Sequence, residues 1–531
     1  MGWPLQRLYL SSINYYIRNM QENSSVPVKN KPGGGVTDSF KWEFLEKASP
    51  LLLVGLPVCV LLIISFLHIH TAYWVDEVFS ITVSRSLPDL FHMFRVNENN
   101  MSLYLVILHF WIDIFGDGEM ATHVLSLIFA VITIPVFFAL ERKLLNRTSS
   151  FFGALLLSVS PMFVYYAVET RSYSMLILSV TVSSLLFIRL LRKPGYGLAV
   201  WYGLSVGLGV YVHYFAILIL LVHIFALTRG TLTKKYLLFW IVSGAVAALI
   251  VSPLALFPPQ NKSQVDWIFA PDLKMLWYMF SLLFARGYVI LILAACLFFV
   301  FQSRYWSRRD RMDFLPEKLS TAWAFVPVLT VFLFSVLVKP VFISRFFAGI
   351  VPGVVLFIAV VVAHTGRNLV VKTAIWFILL GIFVTKSFLY FRTKGSGLKE
   401  SVTFVNQQVK EGETVIIYPY FLGLDMNYYL DKMGSKMASA RPVTITRSPY
   451  LLGGGGRDPD PAMDIVESLA HKKGKIYLLY TDNELMSRSD SLQNRIYKLQ
   501  IRELLAGQHP VHRTIVFGPE TQSPMNVVVF E

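Results

Sequence analysis

Apolar runs of membrane-spanning length recur from about residue 50 to residue 391, and no other feature restricts the fold of this chain so tightly. The first, "LLLVGLPVCVLLIISFLHI" (Leu51 to Ile69), carries no charged side chain until its His68. A spanning helix needs about 20 predominantly apolar residues, because lipid offers backbone groups no hydrogen-bond partner. Composition agrees. Of 531 residues, 55% are hydrophobic and only 15% charged, against about 25% charged in soluble domains. The fold class expected is therefore a polytopic α-helical membrane protein with about eleven spans. A formal charge of +15 would suggest nucleic acid in a soluble protein. Here basic cytoplasmic loops explain it, and no nucleic acid is expected. Cys59 and Cys296 both lie inside apolar runs and suggest neither a disulfide nor a metal site. Residues 1–50 lack the short apolar core and small-residue cleavage site of a signal peptide.

The loops sort into two alternating sets. One is basic: "ERKLLNR" (Glu141 to Arg147), "RLLRKPG" (Arg189 to Gly195), "TRGTLTKK" (Thr228 to Lys235), "SRYWSRRDR" (Ser303 to Arg311) and "TGRNLVVK" (Thr365 to Lys372). The positive-inside rule assigns this set, and the N-terminus, to the cytoplasm. The other set comprises "WVDE", "VETRS" (Val168 to Ser172), "VHYF" (Val212 to Phe215), "PPQNKSQVDWI" (Pro258 to Ile268) and "KPVFISR" (Lys339 to Arg345), and is expected outside. This alternation requires "LYLVILHFWIDIF" (Leu103 to Phe115), short for a span, to be a juxtamembrane or half-inserted helix.

Three regions follow: a cytoplasmic segment at 1–50, a transmembrane domain at 51–391, and an extracytoplasmic domain at 392–531. In the last, β-rich runs "TVIIYPY" (Thr414 to Tyr420), "KIYLLYT" (Lys475 to Thr481) and "MNVVVFE" (Met525 to Glu531) alternate with helical stretches such as "AMDIVESLAHKK" (Ala462 to Lys473). That alternation reads as a small α/β domain. "LLGGGGRDPDP" (Leu451 to Pro461) reads as a loop, "PLQRLYLSSINYYIRNM" (Pro4 to Met20) as an interfacial helix and "KPGGG" (Lys31 to Gly35) as a linker.

The outside loops are short yet hold the unusual residues: Asp76, Glu77, "NENNMSLY" (Asn97 to Tyr104), Glu169, Arg171, His213, Tyr214, Lys339 and Arg345. Taken singly, a carboxylate at a helix end is often a solvated cap and an arginine there often snorkels. Taken together, acids and bases from five loops on one face fit a polar site beside the bilayer. A carboxylate there can take a proton from an acceptor hydroxyl. Arg171 and Arg345 can hold a departing phosphate, with Lys339 a lesser candidate. Such a set suits transfer of a group from a lipid-linked phosphate. A lipid-carrier transporter or flippase is the alternative class, and a lipid-oligosaccharide ligase or polymerase a third. A transporter would favour inverted halves, and no such echo is present.

"YWVDEVFS", "NENNMSLYLVILHFWIDIFGDGEMATHVLSLIFAV", "SPMFVYYAVETRSYSMLILSV", "GVYVHYFAILILL" and "KPVFISRFFAGIVP" follow one another in an order that resembles the GT-C glycosyltransferases. The nearest likeness is to protein O-mannosyltransferases and lipid A aminoarabinose transferases, over about residues 70–355. The resemblance implies an inverting transfer of one sugar from a polyprenyl-phosphate donor to a lipid, glycan or protein acceptor, outside a bacterial cytoplasmic membrane. It implies that Asp76 and Glu77 are the acidic pair of the first loop, with Asp76 the base. Glu169, within "VETRSYS" beside Arg171 and Tyr173, takes the second acidic position, and Arg345 the late basic one. The family usually carries His-Pro-Pro or a Lys-Pro pair where this chain has "NNMSLY", so Asn100 and Tyr104 are the contacts expected there. With His213 and Tyr214 these complete the substrate-binding set. Asp76, Glu77, Glu98 and Glu169 could offer oxygens to a divalent metal, but none is expected as an obligatory cofactor.

Overall fold

A computed structural model describes residues 41–227, 231, 233–260, 268–285, 315–365, 368–391, 397–410, 413–418, 422–433, 443–444, 474–481, 501–503, 505–507, 510–517 and 525–531. The segments expected at Pro4 to Met20, Lys31 to Gly35, Leu451 to Pro461 and Ala462 to Lys473 lie outside the described residues, as does the basic loop at Ser303 to Arg311.

Among the described residues, helices dominate as far as residue 408. The first ten are α1 (Glu43–Lys47), α2 (Pro50–Phe66), α3 (Val75–Ser84), α4 (Leu87–Val96), α5 (Ser102–Phe115), α6 (Glu119–Glu141), α7 (Arg147–Ser158), α8 (Pro161–Ala167), α9 (Tyr173–Arg192) and α10 (Tyr196–Val212). A 3₁₀ turn at Tyr214–Ile217 leads into α11 (Leu218–Ala226), followed by α12 (Lys234–Leu256), α13 (Leu273–Leu283) and α14 (Leu315–Leu337). A second 3₁₀ turn, Ser344–Ile350, opens α15 (Val351–His364), and α16 (Leu369–Phe391) closes the membrane part.

Among the described residues, six helical segments are long and apolar enough to cross a membrane: Glu119–Glu141, Tyr173–Arg192, Tyr236–Leu256, Leu315–Leu337, Ser344–His364 and Leu369–Phe391. The pair α7 and α8 makes a seventh if its 58° bend is counted within one span. Pro161 accounts for that break, because it donates no hydrogen bond and disfavours helix in the residue before it. About eleven spans were expected. Several apolar helices, among them Pro50–Phe66, Tyr196–Val212 and Tyr214–Ala226, are shorter than a full crossing. α5 has 14 residues and is about 21 Å long at 1.5 Å per residue. It stops at Gly116, whose φ of 79° suits glycine.

α10 and α12 pack closely through a small-residue ridge. A Cβ on Gly203 would meet the Ser243 carbonyl at 2.5 Å, and one on Gly207 would meet Ile250 at 2.7 Å. This is the four-residue glycine spacing that lets membrane helices approach at backbone distance.

Beyond the membrane part lie α17 (Leu398–Gln408), β1 (Thr414–Tyr418), α18 (Leu422–Lys432), β2 (Val443–Thr444), β3 (Ile476–Thr481), β4 (Val511–Phe517) and β5 (Met525–Phe530). The sheet order is β2-β1-β3-β5-β4. β1 runs parallel to β2 and β3, and β5 runs antiparallel to β3 and β4. The three β-rich runs read from sequence are strands β1, β3 and β5, so an α/β domain is present. β4 was not anticipated: "VHRTIVF" pairs only along one edge, with Val511 and Val516 exposed.

Two cores result. The larger joins the long helices. The smaller joins Tyr73, Val78 and Ile81, at and within α3, to Leu398, Val402, Met426, Tyr428 and Tyr429 of the C-terminal domain. α3 therefore lies between the two parts of the molecule and is held from both sides.

Candidate active site

α3 starts where Trp74 leaves the helical region of backbone space, and Glu77 closes the end by accepting the Trp74 N–H at 3.3 Å. This hydrogen bond, the glutamate half of a capping box, fixes Asp76 and Glu77 in the first turn, where they meet different surroundings.

Glu77 is fully buried. One oxygen accepts from the Thr170 N–H at 2.7 Å and lies 2.9 Å from His123 Nε2. His123 Nδ1 is bonded in turn to the Ile69 carbonyl at 2.7 Å. Glu77 thus ties α3, α6 and the loop at 168–172 together, and occupies the position of a framework group.

Asp76 remains about a quarter exposed. Arg345 Nη1 lies 3.2 Å from its Oδ2, and Arg171 Nη2 lies at 4.0 Å. Arg171 also donates to Ser80 Oγ at 2.9 Å and to the Asp76 carbonyl at 3.2 Å. Arg345 sits over the Trp74 ring, 5.4 Å from its centre. Its segment is braced by Trp323, whose Nε1 donates to the Gly349 carbonyl at 2.9 Å. Trp74 Nε1 donates to Glu169 at 3.2 Å, which brings the second acidic position to the same place. The loop before α9 and the start of the 344–364 span therefore converge on the first turn of α3.

Tyr173 and His213 form a wall, with ring centres 6.0 Å apart and Arg171 over Tyr173 at 6.0 Å. His213 Nδ1 accepts the Phe215 N–H at 3.2 Å, so the ring proton is assigned to Nε2. Burial, reinforced by Arg171 and Arg345, pushes His213 down to about 3 and keeps it neutral. Among the described residues, Arg171 Nε, Tyr173 Oη and His213 Nε2 are buried with no hydrogen-bond partner. Asn100 joins from the loop before α5, its Oδ1 accepting the Tyr214 N–H at 3.0 Å.

Two further expected contacts are described by their own surroundings. Tyr104 is buried between α5 and α6, its hydroxyl 3.2 Å from Ser126 Oγ. Lys339 is half-buried just past α14, its N–H bonded to the Phe334 carbonyl. Sequence reasoning named Glu98 only as a possible metal oxygen, yet Glu98 feels Arg171, Asp76 and Arg345. Burial raises its proton affinity, opposed by Arg171 and a hydrogen bond from Asn100. Asp425 was not singled out at all. It lies on α18, fully buried, and burial followed by the fields of Asp76 and Glu77 pushes it well above the usual carboxylate range. Among the described residues no three His, Cys, Asp or Glu side chains come together to hold a metal ion.

Residues 102–257 match the family of dolichyl-phosphate-mannose-protein mannosyltransferases. No curated protein sequence matches the chain. Among solved structures, ArnT from Cupriavidus metallidurans bound to undecaprenyl phosphate is similar, with a TM-score of 0.53 at 12% identity over 90% of this chain and 98% of that one. The oligosaccharyltransferase of Archaeoglobus fulgidus in its apo form also gives 0.53 at 12% identity, over 83% of this chain and 70% of that one. The chain has the GT-C fold. Within this GT-C frame, Asp76, Glu169, Arg171 and Arg345, drawn from three separate stretches of sequence, share one site. The match to ArnT covers most of both chains, so the likeness extends past the membrane helices into the C-terminal domain.

Proposed function

We propose that this chain is a membrane glycosyltransferase that moves one sugar from a polyprenyl-phosphate donor to an acceptor hydroxyl, with inversion, on the outer face of a bacterial cytoplasmic membrane. The observation that carries the reading is the meeting of Asp76 with Arg345 at 3.2 Å and Arg171 at 4.0 Å. The match of residues 102–257 to the mannosyltransferase family supports the same class of chemistry.

Asp76 takes the proton of the acceptor hydroxyl as its oxygen attacks the anomeric carbon. The bond from that carbon to the phosphate oxygen breaks, and its electron pair stays on the phosphate. Arg345 and Arg171 stabilise the charge that grows there. Both guanidiniums already face Asp76, so an incoming phosphate competes for them, and donor binding is coupled to release of the base. Glu77 orients α3 through its hydrogen bonds. The C-terminal domain, placed outside by the alternation of loop charge, borders the acceptor side. No metal takes part as an obligatory cofactor.

The test is release of polyprenyl phosphate by the purified protein from polyprenyl-phosphate sugars, with the anomeric configuration of the product read by NMR. Transfer with inversion is expected. Movement of the lipid-linked sugar across a vesicle membrane without release would make the protein a transporter instead.

A further inference from the structure

The loop from Asn97 to Ser102 buries more polar chemistry than its packing uses. Asn99 and Asn100 are only 6% and 8% exposed. Met101 lies in the left-handed region with φ of 63°, a conformation non-glycine residues seldom hold. The Asn100 side chain is oriented from both ends. Its Oδ1 accepts the Tyr214 N–H at 3.0 Å, and its other end hydrogen-bonds Glu98. Glu98, Asn100 and His213 are thereby linked through two consecutive residues, His213 and Tyr214. Among the described residues Asn99 Oδ1, Ser102 Oγ and His213 Nε2 are buried without a hydrogen-bond partner. Native interiors leave few such groups open, and each calls for a reason, such as a catalytic role, an ordered water or a bound ion.

Taking the transfer reading as its basis, we propose that Glu98 and Asn100, flanked by His213, read the hydroxyls of the donor's sugar, and that this sugar is a neutral one with adjacent free hydroxyl groups. The chemistry of the three side chains is complementary. A carboxylate accepts, an amide both donates and accepts, and the Nε2–H of a neutral imidazole donates. Neighbouring hydroxyls on a sugar ring can donate to the carboxylate while accepting from the amide. The two cations of the site, Arg171 and Arg345, lie close enough to Glu98 to affect its charge and would oppose an ammonium group beside it.

The experiment uses the full-length protein and three kinds of polyprenyl-phosphate donor: a hexose, the same hexose lacking one hydroxyl, and its amino-sugar counterpart. Release of polyprenyl phosphate gives kcat and KM separately. Glu98→Gln preserves shape, and Asn100→Asp keeps an oxygen for the Tyr214 N–H while removing the amide donor. Unchanged thermal midpoints would show that both variants fold. Each is expected to raise KM for the hexose about tenfold with little change in kcat, the scale of one or two lost hydrogen bonds. For a donor lacking the hydroxyl that is read, the variants should lose nothing further. If the wild type releases polyprenyl phosphate but both variants keep its KM for every donor, the recognition is overturned and the transfer reading stands. Preference of the wild type for the amino sugar over the hexose overturns the neutral-sugar assignment. Failure of the wild type to act on any donor overturns the transfer reading itself.

Discussion

Two polar regions border α3, and they are finished to opposite standards. On the side facing the C-terminal domain, nearly every polar group has its partner. Tyr429 accepts the Tyr73 N–H at 2.8 Å, Tyr428 donates to the Asp117 carbonyl at 2.8 Å, and Lys399 pairs with Glu119 at 2.6 Å. The Asp117 carboxylate is shared by Arg85, at 2.6 Å, and Lys432. Burial alone would raise Asp117, but those two cations hold it below its ordinary range. On the side facing Arg171 and Arg345, buried donors are left open, Tyr173 Oη and His213 Nε2 among them. The same residue types serve both regions. A saturated region fastens two parts of a molecule, whereas an unsaturated one holds groups ready for a ligand, at a cost of about 1–3 kcal/mol for each buried group left unmade.

The largest expected effect separates the two neighbouring carboxylates. Asp76→Asn should cut turnover about a hundredfold or more while leaving the thermal midpoint near the wild-type value. Glu77→Ala should instead lower stability by about 3–5 kcal/mol, the usual result of removing one partner from a buried, multiply bonded acid. Turnover and calorimetric unfolding of both variants decide the matter. A stable, inactive Glu77 variant beside an active Asp76 variant would reverse the assignment.

Arg345→Lys comes next. A lysine keeps the charge but not the planar fork of donors, so KM for the donor should rise about tenfold. Donor titration against the purified variant measures it, and unchanged affinity would leave Arg345 a bystander.

Asp425 is the exception within the saturated region, and it offers a pH test. Both its oxygens lack a hydrogen-bond partner among the described residues. Its folded-state proton affinity is raised, first by burial and then by Asp76 and Glu77. Its favourable contribution is therefore complete below the ordinary aspartate value of about 3.9, and is lost as pH rises through the raised value. Asp425→Asn removes that loss, so its thermal midpoint should exceed the wild type's by several degrees at pH 8 and by less at pH 5. Parallel curves would show that Asp425 does not titrate against the acids of α3.

The smallest effect belongs to Lys432→Ala. Its side chain is 43% exposed, and a solvent-exposed ion pair contributes about 0–1 kcal/mol. Arg85 still holds Asp117, so thermal unfolding should barely move. A large drop would mean that the seam depends on single contacts rather than on its shared core.

Much of the site was legible because lipid forbids stray charge. A carboxylate or guanidinium in a short loop between apolar runs stands out, and Asp76, Glu169, Arg171 and Arg345 were read from that contrast. Only the family resemblance separated Asp76, as the base, from Glu77; the residues themselves did not, because adjacent residues on a helix share a sequence context while facing different neighbours. Glu98 was obscured by its polar flanks. Asp425 gave no signal, since a lone acid in a mixed-polarity helix reads as solvated.

The sequence by itself determined the membrane class, the alternation of loop charge and the α/β character of the C-terminal domain. These depend on the solvent each segment meets, and apolar length and β-rich patterning record that solvent locally. Only the tertiary structure decided which of two adjacent acids is sealed and which is open, and that α18 rests against α3. Those outcomes depend on hydrogen-bond partners contributed by residues far away along the chain, His123, Thr170 and Tyr429 among them. No local pattern encodes which distant donor will reach a given acceptor; the packed core that brings them together does.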